Sequence, residues 1–498
     1  MTAQPSKSTS HVGRGVLFLS MAKIYFMGTG FLLVVFLPKL FEKLSGDVTG
    51  ELYGRYRVVI GLINLLNMIL IGGTIQAVSK FISEREERAH SVKWQTIKIQ
   101  TVFGGGLSLA LFLGADLIAT HLYRQPALAI YLRFASPIVL LYSYYAVIIG
   151  SLNGLKRFSH QALMDVLFAT GKVGLTIAFV VAGYAISGAI GGFLVTAAVM
   201  LTVSSFVLGR LQKGESIPWQ AIWKFEWKTL FFAFFLNGLL QVDLQLLMAL
   251  APPSLGTPES QTGVYGLALQ LGQLPYVATI AVAFVVFPLI SRATFEADAN
   301  RTRRYISATN RYVFLFLAGL VATFASEAAG IMSLPFFPQV YASGSQMFAV
   351  LSVGYLFFAM VVVSANIFTG SGRPVTSALL FAGMLVVSTI LNVILIPRYG
   401  GMGAAAASSS AMVAGCIAAG ILSYRRFKTF LAPLSFLRGA GAAVLVALIA
   451  HYLEPAGGGV FWVLLRLTGN FVLYCAVLVI LRELTRADLK QVLALRRA

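Results

Sequence analysis

Apolar residues run along this chain in long blocks rather than in alternation with polar ones. Fourteen blocks fall near residues 15–40, 55–82, 99–120, 128–151, 161–182, 187–209, 229–251, 262–290, 311–333, 346–370, 375–397, 401–424, 435–453 and 459–481. A helix needs about 20 mostly apolar residues to cross a bilayer. The period inside the blocks is helical or absent, and none shows the ten-residue alternation of a membrane barrel. The pattern predicts an all-α polytopic membrane protein with about fourteen transmembrane helices. Composition agrees: of 498 residues, 58% are apolar and 11% charged, against roughly 25% charged in an average globular chain. Mean hydropathy is +0.82. At about 22 residues each, the blocks use about 300 positions. Only short connections and tails remain, which argues against a catalytic or nucleic-acid-binding domain outside the membrane.

Charge gives the orientation. The chain carries 38 basic and 18 acidic residues, a net charge of +20. If the N-terminus is cytoplasmic, 28 of the basic residues fall in cytoplasmic pieces and 6 on the opposite side. Such a bias follows the positive-inside rule and predicts both termini in the cytoplasm. It also removes any need for nucleic acid as a partner. Residues 1–14 are polar and run straight into the first block, which contains Lys23 and no convincing small-residue cleavage site. A retained first span is expected rather than a signal peptide. Cys416 and Cys475 both sit in apolar runs, so no disulfide framework is expected. His11, His90, His121, His160 and His451 are scattered and form no metal-ligand pair in the sequence. No metal and no cofactor are expected.

Short internal matches suggest a repeat. Span 2 ends in Phe81-Ile82-Ser83 and span 8 in Leu289-Ile290-Ser291. Span 4 ends in Gly150-Ser151 and span 10 in Gly370-Ser371. Six helices separate each pair, so the halves would be parallel repeats. The expected division is an N-terminal lobe over 1–212 (spans 1–6), a C-terminal lobe over 213–426 (spans 7–12), and two further spans with a cytoplasmic tail over 427–498.

Three stretches resemble the polysaccharide branch of the multidrug/oligosaccharidyl-lipid/polysaccharide exporter superfamily. They are Gly150-Ser151-Leu152-Asn153-Gly154-Leu155-Lys156-Arg157-Phe158, then Gly263-Val264-Tyr265-Gly266-Leu267-Ala268 with Phe287-Pro288-Leu289-Ile290-Ser291, and Leu391-Asn392-Val393-Ile394-Leu395-Ile396-Pro397-Arg398-Tyr399-Gly400-Gly401-Met402-Gly403-Ala404-Ala405. Their order and spacing carry the resemblance, which covers essentially the whole chain. It implies two six-helix lobes plus two helices in a bacterial inner membrane. It also implies alternating-access flipping of polyprenyl-pyrophosphate-linked oligosaccharides for polysaccharide export. Membrane lipids, a polysaccharide polymerase and glycosyltransferases would be partners. The related alternatives are a peptidoglycan-precursor flippase and a cation-coupled multidrug exporter. The motifs themselves read as folding signals: Asn-Gly and Gly-Ser-Gly suit tight turns, and Pro397 through Gly401 separates spans 11 and 12.

An ionisable side chain deep in a bilayer is costly and marks a pathway by default. Lys23 lies about 12 Å along span 1 when the helix starts at Gly15. Lys172 is similarly deep in span 5, where Asp165, Ala169 and Lys172 share a face. Arg133 sits in span 4, and Arg55 and Arg57 open span 2. These five are the candidate phosphate-binding residues, with buried ion pairing as the competing role. In the second half, Asp243 of span 7 is a candidate for a coupling cation or a helix–helix hydrogen bond, and Glu327 is a weaker acid. Asn237, Gln241 and Gln245 form a stripe on span 7. Arg466 of span 14 is expected to snorkel toward headgroups. Tyr142, Tyr144, Tyr145 and Tyr265 are candidates for stacking on sugars or for packing. Gly171-Lys172-Val173 lacks the other residues of a phosphate-binding Walker loop, so the chain is expected to be a transporter without its own ATPase and not an enzyme.

Overall fold

The computed structural model describes residues 7–277, 299–452 and 459–485, and among these there is no strand. The helices are α1 (Lys7–Ser45), α2 (Glu51–Glu84), α3 (Ala89–Leu117), α4 (Leu128–Ala135), α5 (Pro137–Gly154), α6 (Phe158–Phe179), α7 (Ala185–Leu208), α8 (Trp219–Leu250) and α9 (Pro258–Gly272). They continue as α10 (Ala299–Ser326), α11 (Ala328–Met332), α12 (Ser345–Gly370), α13 (Pro374–Phe427), α14 (Pro433–Tyr452) and α15 (Val460–Ile480). The chain forms two compact units, one of Met1–Leu250 with Gly256–Gly263, the other of Ala251–Leu255 with Val264–Ala498. Packing therefore groups α8 with the first unit, whereas the division at 212/213 follows the repeat.

Among the described residues, 11 helical stretches are long and apolar enough to cross a membrane. Two of these, Phe158–Leu208 and Pro374–Phe427, have 51 and 54 residues. At 1.5 Å per residue each would reach roughly 80 Å, far more than a hydrocarbon core of about 30 Å. Each is a hairpin. Gly183 (φ 92°) reverses the first and Gly400 (φ 55°, ψ −133°) the second. Both conformations favour glycine, because a Cβ clashes with the backbone there. The limbs then pack closely. A Cβ on Gly192 would stand 2.4 Å from the Thr176 amide nitrogen, and one on Gly415 would stand 2.3 Å from Met384 Sδ. Counting each hairpin as two crossings gives thirteen. The remaining block, 262–290, starts in α9 and continues outside the described residues.

In the first unit, α2 packs against α5 and α8, and α1 against α6. Small residues make this possible: a Cβ on Gly54 would fall 1.8 Å from the Glu259 carbonyl oxygen, and one on Gly150 would fall 2.9 Å from Val78. In the second unit α12 packs on α13 through Gly354 and Ser409, and α10 on α14.

One helix-ending turn recurs in the two halves. After α5, Leu155, Lys156 and Arg157 donate their amides to the carbonyls of Ser151, Asn153 and Leu152. After α12, Ser371, Gly372 and Arg373 donate to Ile367, Thr369 and Phe368. The two are 216 residues apart, and the same turn also follows α15, where Leu481, Arg482 and Glu483 donate to Val477, Val479 and Leu478. Lys156 (φ 57°) and Gly372 (φ 82°) hold the left-handed position of this shared turn. The match at Leu289-Ile290-Ser291 lies outside the described residues.

Candidate functional site

Three of the first unit's helices meet at the deep lysines. α1 and α6 are joined by Lys23 Nζ and Asp165 Oδ2 at 2.8 Å, by Tyr25 Oη and Thr170 Oγ1 at 2.9 Å, and by the Phe26 and Phe168 rings at 6.5 Å. Lys23 is 52% exposed and Asp165 8%, so a buried carboxylate is answered by an amine that still reaches outward. Lys172, two turns along α6 from Asp165, is half-buried, with Nζ 4.0 Å from the centroid of the Phe193 ring on α7. Among the described residues no carboxylate lies within ion-pair distance of it. The Phe193 quadrupole attracts this ammonium by about 0.5–2 kcal/mol without neutralising its charge. Phe193 belongs to an aromatic cluster with Tyr142, Tyr145 and Phe168, with centroids 4.9–6.2 Å apart. The buried Tyr145 hydroxyl makes no hydrogen bond to the protein. The arrangement sets a basic side chain beside an aromatic cluster and an unpartnered phenolic hydroxyl.

The other candidate cations have partners. Arg133 pairs with Asp116 of α3, and both side chains are exposed. Arg55 reaches Glu259 Oε1 at 3.3 Å and Glu51 at 4.0 Å. Glu259 also accepts from Gln125 Nε2 at 3.1 Å. Arg55 thus sits in a clamp between α2 and the start of α9. Arg57 is half-buried on α2, one turn from the buried Tyr53. The five residues do not form one cluster: Lys23 on α1 pairs with Asp165 of α6, the helix that carries Lys172, whereas Arg55 and Arg133 hold separate ion pairs.

Asp243 is 1% exposed, and its Oδ1 accepts from the Leu244 amide at 2.7 Å. The stripe beside it faces α2, where Gly61 leaves room for Gln241 and Gln245. Gln245 Nε2 donates to the Val58 carbonyl at 3.3 Å, and its Oε1 accepts from Tyr123. Tyr144 shares a hydrogen bond of 2.8 Å with Thr101, and Tyr265 is fully buried. Arg466 does not snorkel. Its Nε donates to Glu327 Oε2 at 2.8 Å inside the second unit, because a buried carboxylate on α10's C-terminal side is a nearer partner than headgroups.

Three further acids are held by polar partners that no local sequence pattern marks. Glu483 accepts from Arg311 at 2.8 Å and from Arg438 at 3.3 Å. Burial raises the Glu483 carboxyl, and the hydrogen bonds from Arg311, Ser435 and Arg438 outweigh it, leaving the group below its ordinary value. Glu215, between α7 and α8, is held down at about 2 by hydrogen bonds from Arg88 and Arg85. Glu226 on α8 is fully buried against Thr74 and Gln100. No group of three or more potential metal ligands occurs among the described residues.

The long apolar helices and the two hairpins define a multi-spanning membrane protein. The solved lipid II flippase MurJ, in an inward closed conformation, superposes with a TM-score of 0.76 at 17% identity, covering 94% of this chain and 99% of that one. An inward-facing multidrug resistance MATE family transporter of the MOP superfamily gives 0.65 at 14% identity, covering 81% and 98%. The uncharacterized membrane protein YabM of Bacillus subtilis (strain 168) is 26% identical over 483 residues, 84% of this chain and 86% of its own length. The family described as lipid II flippase MurJ matches residues 49–479, and the chain belongs to that family. It is therefore a transporter and not an enzyme. Within the superfamily the match falls on the lipid II flippases rather than on the polysaccharide branch that the motifs resemble.

Proposed function

We propose that this chain flips a peptidoglycan precursor of the lipid II class, a polyprenyl-pyrophosphate-linked saccharide, from the inner to the outer leaflet by alternating access. The observation that carries this reading is Lys172. Its ammonium stands over Phe193 with no carboxylate in ion-pair range among the described residues. A desolvated positive charge of this kind favours a phosphate. Lys23, half exposed and paired with Asp165, is the second contact: a phosphate reaching the amine competes with a carboxylate already in place. Tyr142 and Tyr145 stack on each other and on Phe168, which favours a packing role for them. Arg57 is a further candidate, while the ion pairs of Arg55 and Arg133 favour structural roles for those two. The chain supplies no ATPase motif, so a gradient, the membrane potential or removal of product drives the movement. An inside-negative potential favours outward movement of an anionic headgroup by about 2.3 kcal/mol per charge per 100 mV.

A second substrate, an oligosaccharide repeat unit for polysaccharide export, shares the pyrophosphate chemistry and is favoured by the motifs at 150–158, 263–268 and 391–405. The family match over 49–479 favours the cell-wall precursor. Cationic drugs fit less well, because the charge on Lys172 repels them. Proteoliposomes loaded with either lipid-linked saccharide separate these readings. Transport of lipid II that is lost in Lys172→Gln supports the proposal. Transport of the repeat unit alone assigns the chain to polysaccharide export. Lipid II transport unchanged in Lys172→Gln removes Lys172 from the site.

A further inference from the structure

Glu226 is a deeply buried acid whose charge nothing on its own helix answers. It lies about 10 Å from the start of α8 at Trp219, with none of its surface exposed. Its Oε1 is 2.7 Å from Thr74 Oγ1 on α2 and accepts from Gln100 Nε2 on α3 at 2.7 Å. Thr74 and Gln100 are themselves fully buried. Glu226 Oε2 and Gln100 Oε1 make no hydrogen bond to the protein. The charged residues of the three helices near this level are Lys80 and Glu84 on α2, Lys93 and Lys98 on α3, and Lys224 and Lys228 on α8. Lys80 lies over the Phe81 and Phe225 rings and near Glu84, and Lys93 lies over Trp94. Lys98, Lys224 and Lys228 are exposed. Among the described residues none of these lies within ion-pair distance of Glu226.

The hydrogen count of this cluster is informative. The Thr74 hydroxyl is 2.7 Å from Glu226 Oε1 and also 2.7 Å from the Leu70 carbonyl oxygen, but it has one hydrogen to give. If Thr74 donates to Leu70, the short contact with Glu226 needs a hydrogen on the carboxyl, with Thr74 as acceptor. If Thr74 turns to Glu226, it supports the carboxylate. The rotation of one hydroxyl thus matches either protonation state. The Gln100 amide helps in the same way, donating to Thr74 at 2.9 Å and to Glu226. A metal cation would need a fuller shell of oxygens than this cluster supplies.

We infer that Glu226, Thr74 and Gln100 form a proton-binding site inside the first unit. Binding forms an O–H bond at Glu226 Oε1 with a proton drawn from water, and release returns that proton to water. One feature points to internal water on this face of α2. Asn67, two turns before Thr74 on the same face of α2, is 2% exposed, and neither of its amide atoms has a protein partner. Buried polar atoms of this kind are where internal water is held. As a proton-binding acid, Glu226 stands as a candidate for coupling beside Asp243. The inference does not depend on which lipid-linked saccharide is carried.

The test is infrared difference spectroscopy of the purified full chain in lipid nanodiscs, stepped between acid and alkaline pH in the presence and absence of sodium. The expected result is a titrating carboxylic-acid carbonyl band that is lost in Glu226→Gln and kept in Glu226→Asp. Gln100→Leu, which leaves the acid in place, shifts the frequency of that band. Glu226→Gln also releases one proton fewer per chain across the same pH step. A band and proton count unchanged in Glu226→Gln overturn the inference. So does a band that sodium removes at fixed pH, which would make the site one for an alkali cation.

Discussion

Lys23 Nζ stands 2.8 Å from Asp165 Oδ2, joining two spans through residues 142 positions apart in the chain and answering the buried carboxylate of α6. Lys172 on the same helix as Asp165 has no such partner among the described residues, so the positive charge of this region resides on Lys172. Removing the two members of the pair has unequal consequences. Lys23→Gln leaves the buried carboxylate uncompensated and lowers stability by about 1–3 kcal/mol. Asp165→Asn leaves a half-exposed amine and costs less. Thermal unfolding in detergent reads the order: Lys23→Gln is the least stable, and Lys23→Gln with Asp165→Asn recovers part of the loss.

Gly54→Ala places a methyl group 1.8 Å from the Glu259 carbonyl oxygen, which forces α2 and the start of α9 apart. Overpacking of this kind costs about 1–3 kcal/mol. The Arg55–Glu259 clamp beside it should loosen as well. Gly28→Ala, which meets nothing within 4 Å, is the control and leaves the melting temperature unchanged.

Gly400 turns the α13 hairpin with φ 55° and ψ −133°, a conformation that costs an L-residue about 1–3 kcal/mol. Gly400→Ala therefore lowers thermal stability, whereas Gly383→Ala, in open space on the same hairpin, does not.

Glu215 gives the connection between α7 and α8 an acid sensitivity. Its folded carboxyl is held at about 2, against an ordinary value of 4.5, first by the hydrogen bonds from Arg88 and Arg85. A depressed folded value means that the stabilisation is whole above about 4.5 and is lost as pH falls through about 2. The Ile217 amide, which donates to Ser91 Oγ at 3.0 Å, reports the docking of this segment. Its protection from hydrogen exchange falls across that window in the wild type. Glu215→Gln lowers the protection at neutral pH and flattens the dependence.

The spans were legible because each apolar block is a local property, written in about 20 consecutive residues. The hairpin reversal at Gly400 was legible too, since Pro397 through Gly401 is a local break. The pairings were not. Lys23 with Asp165, Arg55 with Glu259 and Arg466 with Glu327 depend on which helix faces settle together, and a single sequence does not encode that in any short window. Glu226 was hidden for a different reason. The apolar block begins at 229, so an acid between Lys224 and Lys228 reads as a polar flank. The helix begins ten residues earlier, at Trp219, and its turn of Ile222, Glu226 and Leu230 faces inward. The tryptophans at 219, 223 and 227, one per turn, were the available signal that the helix had already started.

The most direct test of the account is the rate of lipid II flipping by the Lys172→Gln variant in proteoliposomes, at protein levels matched to the wild type. Loss of at least tenfold in rate, with Lys172→Arg retaining part of it, is the predicted result. A rate equal to that of the wild type in Lys172→Gln would contradict the claim that this ammonium meets the pyrophosphate.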